Sequence, residues 1–152
     1  MWTRTRSLML SRLLTCVFAA GLLAALFFIP RFVAWYKDNS ISDGIIKGDI
    51  SIPMTLMLYT TALLALCAVG ALFVLLRCIS AGEVFIDTNT VCLRLISWVC
   101  MLAGCAYFIF GLWRIVFFAA AFFAVLLGLI LRVLKNVFAA AVDIKSENDL
   151  TV

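Results

Sequence analysis

Two arginines, Arg77 and Arg94, enclose the stretch RCISAGEVFIDTNTVCLR, which also carries Glu83, Asp87, Asn89 and a Thr-Asn-Thr run. Carboxylates beside guanidinium groups make a cluster that either neutralises itself or meets a charged partner. Elsewhere the chemical inventory is thin. The 152 residues contain no histidine, which removes Ser-His-Asp and Cys-His catalysis, histidine-ligated haem and most catalytic zinc sites. Six cysteines (Cys16, Cys67, Cys78, Cys92, Cys100, Cys105) form no C-x-x-C pair and mostly lie in or beside apolar runs. There a thiol behaves as a small hydrophobe, so they read as helix-packing residues rather than a redox relay or a disulfide framework. The run from Asp38 to Gly44 lacks the glutamate and the spacing of a calcium loop. The reading is therefore non-enzymatic, with no catalytic residue, no metal ligand and no cofactor.

The elements that must hold these residues are apolar. The chain is 66% hydrophobic and 13% charged, against about half and about a quarter in soluble domains. A soluble domain of this size could not hide so much apolar side chain, so the excess faces lipid. Four runs are long enough to cross a bilayer core, or nearly so: Leu13 to Ile29, Pro53 to Leu76, Val91 to Phe110 and Ile115 to Leu134. The expectation is an all-α polytopic membrane protein, a single membrane domain with four transmembrane helices in an antiparallel bundle. Its spans are about 10–34, 53–77, 89–110 and 114–137, with an external loop at 35–52, a cytoplasmic loop at 78–88 and a cytoplasmic tail at 138–152. The first run continues past every candidate signal-peptide cleavage site, which favours a retained anchor.

Lysine and arginine placement sets the orientation. Arg4, Arg6, Arg12, Arg77, Arg94, Arg132, Lys135 and Lys145 fall on one side, and Arg31, Lys37, Lys47 and Arg114 on the other. Both termini are thus expected in the cytoplasm, with Trp35, Tyr36 and Trp113 at the outer interface. No ionisable residue lies deep in a span. Arg94 is the deepest, about a turn into the third helix, where its stem can snorkel back to the headgroups. Helix contacts in lipid depend on small residues, and Cys16-Ala20-Ala24, Cys67-Ala71 and Cys100-Gly104 supply that spacing. Pro53 suits a first helical turn. Gly82 suits the position just past the second helix, where a left-handed residue is common. Asp87 is expected to N-cap the third helix, with Ile86 and Val91 as a hydrophobic staple.

Two stretches, ISAGEVFIDTNTVCLRLISW and the terminal VFAAAVDIKSENDLTV, resemble the YoaS-like family of small bacterial membrane proteins. The matching positions are Gly82, Phe85, Asn89, Leu93, Arg94, Glu147, Asp149, Leu150, Thr151 and Val152. That family has four predicted spans and no assigned activity. The resemblance implies a bacterial cytoplasmic (inner) membrane and genomic company, a small helix-turn-helix regulator encoded next door. The expected role is accordingly a regulatory partner, with no direct nucleic-acid binding, whose cytoplasmic face docks such a regulator. The docking candidates are Arg77, Glu83, Phe85, Asp87, Asn89, Arg94, Glu147, Asp149, Leu150, Thr151 and Val152. The alternative is a small carrier or exporter subunit for an amphiphilic or peptide substrate, and a homo-oligomer is a further partner reading.

Overall fold

The computed structural model describes residues 4–39, 44–82 and 86–150, without the side chains of residues 4–7, 145–146 and 148–150. Four helices account for nearly all of it: α1 (Arg4–Asn39), α2 (Ser51–Ser80), α3 (Asp87–Gly111) and α4 (Val116–Leu150). No strand occurs among the described residues. The helices have 36, 30, 25 and 35 residues, or about 54, 45, 37 and 52 Å at 1.5 Å per residue. All four are long and apolar enough to cross a membrane, by length and composition.

Helix ends differ from the expected spans for local reasons. α1 runs on to Asn39 with Pro30 inside it. A proline removes one helical hydrogen bond, but long apolar helices tolerate it when neighbouring groups compensate. α2 opens at Ser51, which leaves Pro53 in its first turn. It closes at Ala81, whose N–H bonds the carbonyls of Arg77 and Cys78, and Gly82 follows at φ 84. A left-handed glycine just past a helix is what this turn requires. Asp87 does not cap α3. Ile86 holds the cap position in extended geometry without a side-chain bond, and Asp87 is the first helical residue. Its carboxylate still favours the positive end of the helix dipole. With Ile86 itself at the cap, Ile86 and Val91 do not hold the two positions that a staple joins.

Among the described residues, helix backbones approach one another between sequence neighbours: α1 with α2, α2 with α3, and α3 with α4. No α1–α4 backbone approach occurs among the described residues, so the four helices stand as an open row in chain order. Short connections force neighbours together. Nothing need close the ring where lipid tails can cover leucine and phenylalanine as well as another helix can.

The row is tied at one end, here termed the loop end. Ile29 and Val33 of α1, Met54 and Met57 of α2 and Phe110 of α3 form a buried cluster there, flanked by Tyr36, Trp113 and Phe117. Phe110 stands edge-on to Phe117 with ring centres 4.8 Å apart. The 44–50 connection closes on the α3–α4 turn through an Ile46 N–H to Leu112 carbonyl bond of 2.9 Å. A side chain at Gly44 would run into the Trp113 carbonyl.

α3 and α4 interlock along most of their shared length. A Cβ at Gly104 would lie 2.6 Å from Val125 Cγ2, and one at Gly128 would lie 2.9 Å from Met101 Cγ and 3.1 Å from the Ser97 carbonyl oxygen. Ser97 Oγ donates to the Gly128 carbonyl at 2.7 Å. Small residues are what allow this closeness. α3 has the lowest mean hydropathy of the four, 1.8 against 2.4–2.5, and it also buries the polar residues Asn89, Thr90 and Ser97.

Candidate functional site at the terminal end

The opposite end of the row, the terminal end, holds the start of α1, the end of α2, the start of α3 and the end of α4. Most of the sequence-selected residues are here. Arg77, Asp87, Arg94 and Glu147 are exposed. Glu83, Phe85, Thr151 and Val152 lie outside the described residues. Asp149 and Leu150 belong to the last turn of α4, with side chains outside the described set. Asn89 goes the other way. It is fully buried in the first turn of α3, next to Thr90, which is 7% exposed. The i to i+1 step of a helix turns side chains by about 100°, so Asp87 meets water while Asn89 and Thr90 are packed.

The expected neutral cluster is not assembled among the described residues, where Arg77, Asp87 and Arg94 make no ion pair. Asp87 and Arg94 are seven positions apart, about 10 Å along the axis, too far for a direct bond. Among the described residues Arg77, Asp87 and Arg94 therefore stand as separate exposed charges at the terminal end.

α4 supplies the other part of the site. Ser97 pairs with Gly128, and counting back from Ser97 to Asp87 brings the level to about residue 138 of α4. The rest of α4, through Leu150, reaches roughly three turns beyond the start of α3. Asp143, Ile144 and Glu147 are exposed on this extension. The sequence predicts a tail; the structure makes it a continuous helix through Leu150.

Three cationic or anionic arrangements escaped sequence reasoning. Arg114, in the α3–α4 turn, is only 3% exposed, with its guanidinium 5.3 Å from the centre of the Tyr36 ring. Arg132 lies over Trp98 at 5.1 Å. Both are cation–π contacts that let a charge rest against apolar surface. Arg132 and Trp98 are 34 positions apart in sequence, and only the α3–α4 register brings them together. Asp49, in the connection before α2, accepts from Ser51 N–H at 3.0 Å and Ser51 Oγ at 2.7 Å, and pairs with Lys37 at 3.1 Å. These bonds, Ser51 N–H first, hold its carboxyl down at about 2.

Among the described residues, apolar grooves lie between neighbouring helices. One groove lies between α1 and α2 at the terminal half, another between α2 and α3 beside Phe110, and a third between α3 and α4 beside Phe108 and Phe122. All three open sideways, so none is the polar internal chamber that a carrier for a polar substrate needs. All six cysteines are free. Among the described residues no three metal-ligating side chains converge.

A family described as protein of unknown function (DUF2975) matches residues 45–152. No curated protein and no solved structure matches the chain.

Proposed function

The chain belongs to the DUF2975 family, whose function is unknown, and from that premise we propose a non-enzymatic, multi-pass protein of the bacterial cytoplasmic membrane that docks a soluble regulatory partner at its terminal end. The four apolar helices support membrane residence. The excess of lysine and arginine on the side of the termini supports a cytoplasmic terminal end. The observation that carries the docking reading is the α4 extension past the start of α3, with Arg77, Asp87, Arg94 and Glu147 exposed at the same end. A rigid helix presenting charges outside the bilayer is a surface for a protein, whereas the lateral grooves are surfaces for lipid. The YoaS-like resemblance supplies the class of partner, a small helix-turn-helix DNA-binding protein.

The test is photo-crosslinking in native membranes from positions Arg94 and Glu147, with capture of the full-length chain and identification by mass spectrometry. A small DNA-binding protein is expected from both positions, and crosslinking is expected to fall at least tenfold with Arg77→Glu and Arg94→Glu. Crosslinks only to lipid or to a second copy of the chain would overturn the reading.

A further inference from the structure

The arginines near the start of α1 and the end of α2 have no carboxylate to meet on their own helices. α1 has no acidic residue before Asp38, and α2 has none at all. Between these helices runs an open groove of about 390 Å³, lined by Leu14, Phe18, Val69 and Leu72, with Ser11 and Leu76 at its terminal edge. Thr15, also on this wall, spends its hydroxyl on the Ser11 carbonyl at 2.8 Å, so it adds little polarity to the groove.

Levels along the row can be counted from the shared loop-end cluster of Ile29 and Met57. Ser11 lies 18 residues before Ile29, and Leu76 lies 19 after Met57. Both are about 27 Å away, close to one hydrocarbon thickness of about 30 Å. Arg12 is one residue nearer the loop end than Ser11 and Arg77 one residue beyond Leu76, so the two cations stand about 25 and 30 Å along, within one helical turn of each other in level, next to the residues at the groove's terminal edge. The Arg12 Nε is buried and has no hydrogen-bond partner. A buried donor left unbonded is costly, and a guanidinium is shaped for the paired oxygens of a phosphate. On α3, which packs against α2, Asp87 is the acid at this end, and it is exposed.

We propose that the α1–α2 groove is a binding site for an anionic phospholipid, with an acyl chain between Phe18 and Leu72 and the phosphate held by Arg12 and Arg77. This rests on membrane residence but not on the regulatory partner, since the readout is lipid alone.

The test reconstitutes the full chain into vesicles of phosphatidylcholine and measures immobilisation of spin-labelled phosphatidylglycerol and phosphatidylcholine. Phosphatidylglycerol should be preferred, by about fivefold for each arginine engaged. Arg12→Gln with Arg77→Gln should abolish the preference, whereas Arg12→Lys with Arg77→Lys should keep most of it. Leu72→Trp, which fills the groove, should release both lipids. Arg31→Gln, at the loop end, should change nothing. Arg77 is exposed, so Arg77→Gln alone should fold and show the partial loss if the double variant does not fold. Equal immobilisation of the two lipids, or a preference that survives Arg12→Gln and Arg77→Gln, would mean annular lipid only and would overturn the proposal.

Discussion

The α1–α2 pair and the α3–α4 hairpin are built from similar residues and packed in different ways. Gly21 of α1 and Gly70 of α2 have nothing within 4 Å of where a Cβ would stand. Gly104 and Gly128 are pressed between helices. Cys16, Ala20 and Ala24 repeat every fourth residue along α1, yet all three are exposed. Cys100 and Gly104 have the same spacing and form the α3–α4 seam. Small residues permit close approach without compelling it. The hairpin uses them because its turn spans only residues 112–115, which fixes register and brings Ser97 to the Gly128 carbonyl. The longer 40–50 connection leaves α1 and α2 free to stand apart, with a groove between them.

The largest effect should come from cutting the joint between these halves. Phe110, 1% exposed, shares the loop-end cluster with residues of α1 and α2 and stands edge-on to Phe117 of α4. Phe110→Ala should destabilise the protein by about 3 kcal/mol, the low end for a buried phenylalanine, because lipid can re-cover part of the exposed surface. Thermal unfolding in micelles followed by circular dichroism checks it. The α3–α4 hairpin should then melt separately from α1–α2; a single unchanged transition would show that the loop end does not couple them.

The same substitution should have opposite signs in the two halves. Gly21→Ala and Gly70→Ala add a methyl in open space and remove glycine's helix cost, so each should be neutral or stabilising by up to about 1 kcal/mol. Gly104→Ala and Gly128→Ala meet Val125 and Met101, and each should destabilise by about 1–2 kcal/mol net of that gain. Val125 is β-branched and has little rotamer freedom in a helix, so position 104 should be the more sensitive. Equal shifts at all four glycines would erase the distinction.

That distinction is also the line between what was legible in the sequence and what was not. Four helices could be read directly, because unbroken apolar runs of this length have few alternatives. Pro53 in a first turn and a left-handed Gly82 followed from local backbone chemistry. Asp87 did not cap, since the choice between Ile86 and Asp87 as the first non-helical residue is a one-residue matter that propensity does not decide. The open row was not legible, because a lipid-facing leucine and a helix-facing one look alike. Asn89 reads as a docking residue from its place in the polar Arg77–Arg94 stretch and in the family resemblance, and only the azimuth of α3 shows it to be fully buried. Arg114 read as one more outer charge, and its seat over Tyr36 depends on how the loops close.

Polar bonds give a smaller version of the same contrast. Ser97 bonds across the seam, while Thr61 bonds back to Met57 within its own helix at 2.8 Å. Ser97→Ala should cost about 0.6–1.7 kcal/mol, the range for interhelical bonds in membranes. Thr61→Ala should change little. A double-mutant cycle of Ser97→Ala with Gly128→Ala should be non-additive, because the two residues share one contact.

The smallest effect concerns charge rather than packing. At the loop end Lys37 has Asp49, whereas among the described residues neither Arg12 nor Arg77 at the terminal end pairs with a carboxylate. Ser51 N–H, then Ser51 Oγ, then Lys37 lower the Asp49 carboxyl from 3.8 to about 2. A depressed carboxyl contributes stability above its unfolded value and loses it as pH falls through the folded one. The contribution should therefore be intact above about pH 4 and fade toward pH 2. Asp49 and Lys37 are both exposed, so solvent screens the pair and the global melting point should scarcely move. The local readout is hydrogen exchange at the Ser51 amide, which should quicken between pH 4 and pH 2 beyond its intrinsic rate. Asp49→Ala should remove that step while leaving lipid preference at Arg12 and Arg77 as it was. If Asp49 titrates near its ordinary value instead, the Ser51 contacts do not persist in solution, and the loop end loses its claim to be the end where charge is neutralised.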